Sequence, residues 1–146
     1  MRNNDKSKTS LFLMELIITI LFFALCSGVC MQLFVRSHVM GVQTWELNHA
    51  VEKAQGFAEA MRGTDGSLEG ILSVYPEAIE VDGSYFEVFY DSDFNTCDYS
   101  VAEYAADVTL KPNGAIQNMS IRIIKLSDMS DIYALTATKY MMDPKG

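Results

Sequence analysis

The stretch from Leu11 to Val35, LFLMELIITILFFALCSGVCMQLFV, restricts this chain more than anything else in it. It holds 25 residues, carries one charge, Glu15, and contains no proline. A helix of that length reaches roughly 37 Å, enough to cross an apolar bilayer core of about 30 Å with some tilt. Arg2, Lys6 and Lys8 precede the stretch, and Arg36 follows it, after which acids dominate. Cations concentrated on the N-terminal side keep that end in the cytoplasm. The expected topology is therefore a single span of the cytoplasmic membrane with the C-terminal part extracytoplasmic.

Glu15 is out of place in such a run. A charge inside an apolar span costs about 2.5–3.5 kcal/mol at its centre and less near its end. Two arrangements tolerate it. Either the carboxylate snorkels to the membrane surface, or a cationic amine on a neighbouring helix pairs with it. A free N-terminus at Leu11 would supply that amine, provided residues 1–10 are removed.

A short polar, basic leader, MRNNDKSKTS, then an apolar run with glutamate in its fifth place, resembles the start of type IV pilins and pseudopilins. The resemblance covers residues 1–35. It implies that a prepilin peptidase cuts between Ser10 and Leu11 and that the new N-terminus is methylated. It also implies that Glu15 contacts the terminal amine of a neighbouring subunit during filament assembly. The family strongly prefers glycine before the cut and commonly has phenylalanine or methionine after it; here Ser10 and Leu11 stand in those places.

Beyond Val35 the chain has 17 acidic against 8 basic residues, and from Gly63 to Leu110 it has 11 acids and no Lys or Arg. Direct nucleic-acid binding needs cations against phosphates, so it is not expected. An acidic solvated face that keeps the domain soluble is. Cys26 and Cys30 lie at i, i+4 on one face of the span and act as small apolar residues; Cys97 stands alone outside it. A secretory signal peptide is excluded by the length of the run, by Glu15 and by the lack of a small-x-small site after it.

From residue 36 to 62 the pattern becomes amphipathic. Val35, Val39, Val42, Leu47, Val51, Ala54, Ala58 and Met61 form an apolar stripe with one slip near Trp45, against Glu46, Glu52, Lys53, Gln55, Glu59 and Arg62. Gly63-Thr-Asp-Gly66 stops the helix. Residues 63–146 read as an antiparallel sheet domain. Leu68–Tyr75 is a short helix or link; Ala78–Val81 and Tyr85–Tyr90 flank the turn signal Asp82-Gly83; Tyr99–Leu110 is a strand. After the turn Lys111-Pro-Asn-Gly114 come strands Ala115–Leu126 and Ile132–Met141. The expected fold class is α+β, a long N-terminal helix, half transmembrane and half amphipathic, packed against a small antiparallel sheet. Trp45 is expected to pack under that sheet.

No catalytic constellation is evident, and no enzyme activity is expected. His38 and His49 are eleven residues apart and read as exposed polar residues of the helix, and Cys97 has no histidine near it. The metal candidate is a calcium loop at Asp91, Asp93, Asn95 and Asp98, where oxygen ligands alternate but the usual glycine and glutamate are missing. The small residues Ser27 and Gly28 with Cys26 and Cys30 offer a surface where another helix can approach closely. Two functions from different classes fit these features. One is a structural subunit, of minor type because no proline interrupts the helix, in a type IV pilus-like or type II secretion pseudopilus filament. Its partners would be other pilin-like subunits, the prepilin peptidase and the membrane. The alternative is a permanently anchored single-pass protein with a small extracytoplasmic binding domain.

Overall fold

The computed structural model describes residues 3–141. Helix α1 (Asn3–Gly63) is followed by a short helix α2 (Leu68–Val74) and five strands. The strands are β1 (Ile79–Asp82), β2 (Tyr85–Tyr90), β3 (Tyr104–Asn113), β4 (Ile116–Lys125) and β5 (Ser130–Tyr140). All pair antiparallel in the order β1-β2-β3-β4-β5, the expected meander. The chain divides into two compact units, Met1–Gln43 and Thr44–Gly146.

The first unit is the N-terminal part of α1. Every described side chain from Lys8 to Trp45 is exposed, and the helix holds a stretch long and apolar enough to cross a membrane. The leader, expected to be unstructured, is helical from Asn3. No glycine or proline lies in it, so the helix nucleated by the apolar run extends backwards at the low cost of adding residues to an existing turn. Arg2 lies outside the described residues. The hydroxyls within the run are satisfied locally: Thr19 Oγ1 donates to the Glu15 carbonyl at 2.8 Å and Ser27 Oγ to the Phe23 carbonyl at 2.9 Å.

In the second unit, residues 44–63 of α1 pack against one face of the sheet. Their buried positions are Glu46, Ala50, Ala54, Phe57, Ala58, Ala60 and Met61. They meet Phe86, Val88 and Tyr90 of β2, Ala106, Val108 and Leu110 of β3, and Met119, Ile121 and Ile123 of β4. The expected stripe is thus partly wrong. Val35, Val39, Val42 and Leu47 are exposed, Val51 is half-buried, and Glu46 is buried where an exposed face was expected. Residues 46, 50, 54, 57 and 61 keep helical spacing without the slip. Alanine lets the helix lie close to the sheet, and Phe57 fills the space beneath it. Gly56 makes room for Tyr75 at the end of α2, because a Cβ there would come within 2.8 Å of the Tyr75 hydroxyl.

Tyr104, Ala106, Val108 and Leu110 face the core, as do Met119, Ile121 and Ile123, whereas Ala102, which the strand period would put with them, covers the opposite face. The strand expected from Tyr99 begins only at Tyr104, because Tyr99–Val101 coil into a 3-10 turn. Pairing between β2 and β3 ends at Tyr90↔Tyr104, so nothing holds residues 99–101 extended. The turn expected at Lys111–Gly114 is shorter. β3 runs to Asn113, and Gly114 with Ala115 makes the connection, Gly114 taking a φ of 62°. Pro112 is accommodated because β2 pairs only as far as Thr109, leaving β3 an edge beyond it. β5 starts at Ser130 and contains a bulge at Ile132, since Ile123 pairs with Tyr133 and Ile124 with Asp131.

A second, smaller cluster lies on the opposite sheet face, where Phe89, Ala105 and Ile124 are covered by Cys97, Ala102 and Leu126. The loop between β2 and β3 folds over that face through Cys97 N–H to the Phe89 carbonyl at 3.0 Å.

Candidate functional site

The residues that carry the functional expectations fall into separate places. Ser10, Leu11 and Glu15 all lie on α1 in the first unit and are exposed. Among the described residues no ion pair joins Glu15 to Lys8 or Arg36. The Glu15 carboxylate accepts no hydrogen bond among the described residues, although its own backbone carbonyl receives one from Thr19. Three and four residues away on the same helix face stand Leu11, Phe12, Ile18 and Thr19. Glu15 is an exposed carboxylate on an apolar stretch of helix, and among the described residues no ion pair meets it.

Comparison with protein-family models, curated proteins and solved structures gave no match.

The calcium candidate Asp91, Asp93, Asn95 and Asp98 lies in the loop between β2 and β3. The Asp91 carboxylate turns inward on its own loop and accepts from the backbone N–H groups of Asp93 and Asn95, each at 2.9 Å. These bonds, the Asn95 amide first, hold its pKa below the usual carboxylate range. Among the described residues no group of three or more His, Cys, Asp or Glu side chains gathers as a metal site. What the loop does position is Phe94. Its φ is 57°, a conformation rare for an aromatic residue, and its ring is buried. It stacks on Tyr104 at 4.2 Å and on His49 at 5.3 Å, with the Trp45 edge 5.7 Å away. His49, expected to be an exposed polar residue, is therefore half-buried in an aromatic stack, with Glu52 3.7 Å from its Nδ1. Trp45 packs edge-on to His49 and Phe94 at the margin of the core and stays 39% exposed, so it is not under the sheet as expected.

Beside this stack is an ionic group that the sequence concealed. Glu46 Oε1 accepts from the Tyr104 hydroxyl at 2.9 Å and from Lys125 Nζ at 2.5 Å. It joins α1 to β3 and β4, residues 58 and 79 positions away. Burial, then the bond to Glu46, pushes the Tyr104 hydroxyl well above the ordinary tyrosine range, and the Glu46 bond raises Lys125. A buried carboxylate at a helix stripe position is legible only as a polar residue in phase with alanines, a signal that Ala50 and Ala54 did provide.

On the sheet face opposite α1, Arg122 bridges Asp107 at 2.8 Å and Asp131 at 3.7 Å. The Tyr85 hydroxyl donates to Glu87. These pairs neutralise part of the acidic surface. Cys26 and Cys30 are exposed on the apolar helix and Cys97 is half-buried; all three are free thiols. Burial, then the nearby Asp91 and Asp98, pushes the Cys97 thiol up, away from the reactive thiolate.

Proposed function

We propose that this protein is a structural subunit, of minor type, of a pilin-like filament, built through its apolar N-terminal helix after cleavage between Ser10 and Leu11. The observation that supports the proposal is Glu15, an exposed carboxylate in an otherwise apolar helical run, with no ion pair among the described residues. In the bilayer, and in a filament core, such a group is tolerable when a cation from another chain meets it. The terminal amine of a cleaved Leu11 on a neighbouring subunit has the right charge and lies at the right depth. The second unit then faces the extracytoplasmic side, with the cations around Lys8 retained inside. The other subunits, the peptidase and the membrane are the partners this mechanism requires.

The test is Glu15→Leu, which keeps the run apolar and lies four residues beyond the expected cut. The variant is expected to insert in the membrane and to be cleaved, yet to fail to cross-link to sister subunits or enter filaments. Loss of one partner leaves the other charge buried, a penalty on the order of 3–5 kcal/mol. In the same cells, mass spectrometry of the wild-type protein is expected to give a chain starting at Leu11, methylated at the new terminus, and Ser10→Gly to be cut at least as completely. Assembly of Glu15→Leu like wild type, together with an intact Met1, would replace the filament mechanism by a permanently anchored binding protein.

A further inference from the structure

We propose that Asn113 is a site of spontaneous covalent modification, a deamidation through a cyclic imide formed with Gly114, and that its isoaspartyl product unfastens the end of β5. The pair sits at the tip of the β3–β4 hairpin. Leu110 N–H donates to the Ser84 carbonyl at 2.7 Å, so Leu110 turns its backbone groups toward the β2 side. Backbone groups alternate sides along a strand, so Asn113, three positions further on, turns its own toward β4 and closes the ladder with Ile116. Gly114 and Ala115 form the loop, with Gly114 in its first place at a φ of 62°. The Gly114 N–H therefore lies outside the ladder, and among the described residues it makes no backbone hydrogen bond.

The electrophile is equally free. Asn113 is exposed, and its side-chain amide enters no hydrogen bond among the described residues. A Cβ placed on Gly114 would meet no atom within 4 Å, so no neighbour crowds the nitrogen. Glycine itself carries no Cβ to hinder a close approach. In base the Gly114 nitrogen loses its proton and attacks Asn113 Cγ. The N–Cγ bond forms, the Cγ–Nδ2 bond breaks, and the nitrogen leaves as ammonia after taking a proton from water. Water then opens the imide. Breaking the new N–Cγ bond gives aspartate. Breaking the bond from the Gly114 nitrogen to the Asn113 main-chain carbonyl carbon gives isoaspartate, in which the chain runs through Cβ and Cγ. Either way one water is consumed, one ammonia is released, and a neutral amide becomes a carboxylate.

Comparable pairs in the second unit are closed to this reaction. Asp65-Gly66 and Asp82-Gly83 have the same glycine, but each carboxylate is held 2.9 Å from the N–H of Ser67 or Ser84, and an ionised carboxylate is a poor target for an amide nitrogen. Asn48 lies within α1, where the next N–H is spent on the helix ladder. Asn118 lies in β4 and its amide oxygen accepts from Thr138 at 3.1 Å. Asn95 is followed by the β-branched Thr96.

Isoaspartate inserts an additional carbon in the main chain just before the loop. The Ala115 carbonyl in that loop accepts from the Met141 N–H at 2.7 Å, tying the residue after β5 to the hairpin tip. A lengthened loop displaces this carbonyl, whereas aspartate leaves the chain length unchanged. The conclusion does not depend on the filament proposal.

The full chain in phosphatidylcholine nanodiscs is aged in mildly alkaline buffer beside a free peptide, Lys-Pro-Asn-Gly-Ala-Ile, which has the chemistry without the fold. Both are sampled by mass-spectrometric peptide mapping, and isoaspartate is scored by isoaspartyl-specific enzymatic methylation. Asn113 is expected to convert at least about tenfold faster than Asn48, Asn95 and Asn118, and within about tenfold of the peptide, a barrier difference of at most about 1.4 kcal/mol. Asp65 and Asp82 are expected to stay aspartate over the same period. Hydrogen exchange of the segment carrying Met141 is expected to be roughly tenfold faster in the isoaspartyl protein, the scale of one lost backbone bond. Freshly made Asn113→Asp and aged Asn113→Ser are expected to exchange there like unaged wild type. Conversion elsewhere as fast as at Asn113, conversion at Asn113 more than about tenfold slower than in the peptide, or unchanged exchange at Met141 in the isoaspartyl protein would each overturn the proposal.

Discussion

Glu46 shows how one side chain organises a small domain. It lies in the apolar stripe of α1, yet it is not a flaw in the packing, because its Oε1 receives Tyr104 and Lys125 together. A hydrogen bond to a charged group contributes about 1.5–3 kcal/mol, and here the exposure of Lys125 at 32% lets solvent screen part of it. Glu46→Ala is expected to cost about 2 kcal/mol in chemical denaturation, since the buried Tyr104 hydroxyl loses its acceptor. Glu46→Gln keeps an acceptor for Tyr104 and is expected to cost about half of that. Equal losses in the two variants would mean that charge, not hydrogen bonding, holds the group. The raised Lys125 pKa gives the pH sense: its contribution is present below the unfolded lysine value of about 10.4 and disappears as pH rises through the higher folded value. None of this was legible at Glu46 itself, which a polar-out assignment places in solvent. Nor was Phe94, whose left-handed backbone is imposed by the Asp91 bonds and by stacking between His49 and Tyr104. A sequence shows an aspartate in a polar loop, not that the loop folds back on the core.

Among the elements, the strands were legible and the helix register was not, for a physical reason. β2, β3 and β4 each bury alternate residues of large side chain, so the period of two appears directly in Phe86, Val88, Tyr90 and their counterparts. The helix uses Ala50, Ala54 and Ala58 for close approach, and a reading weighted towards valine and leucine follows the neighbouring ridge through Leu47 and Val51 instead. The connections share one device that the sequence does display. Asp65-Gly-Ser67, Asp82-Gly-Ser84 and Asp128-Met-Ser130 each turn an aspartate oxygen onto the serine N–H and hydroxyl two residues on. These bonds lower the pKa of all three aspartates, with serine bonds the leading cause in each. Their stabilisation is therefore full above the unfolded aspartate value of about 3.9 and fades as pH falls through the lower folded values. Replacing the three serines by alanine is expected to flatten the acid limb of stability measured by urea denaturation across that range. An unchanged limb would place acid sensitivity elsewhere. β5 contributes a further junction, for Lys139 Nζ donates to the carbonyls of Met61, Arg62 and Thr64 at the end of α1. Lys139→Met keeps the apolar stem and is expected to cost about 1 kcal/mol, read as a lower denaturation midpoint with an unchanged slope.

At the scale of the whole molecule, the two halves of α1 obey different physics. Residues 8–43 bury nothing within the chain, whereas the helix from Thr44 onward supplies one wall of a closed core. The sequence sets the change from all-round apolar to one-sided apolar at Val35, and the compact unit begins at Thr44. Between them Val39 and Val42 continue the periodicity while remaining exposed. A protein beginning at Gln43 keeps Trp45, Glu46 and His49, and with them the stack on Phe94 and the link to Lys125. It also sheds the apolar surface that drives insertion, and its remaining charge is strongly acidic. It is expected to be soluble and monomeric by light scattering and to unfold in a single cooperative transition. Starting instead after Met61 removes Ala50, Ala54, Phe57 and Met61 from one face of the sheet and leaves Phe86, Val88, Val108, Met119, Ile121 and Ile123 open to water. Each such side chain is worth about 1.5–3 kcal/mol when buried, more in total than a domain of this size holds in reserve. That shorter protein is expected to aggregate; if it stayed monomeric with sharp dispersed amide resonances, the helix would not be the wall that closes this core.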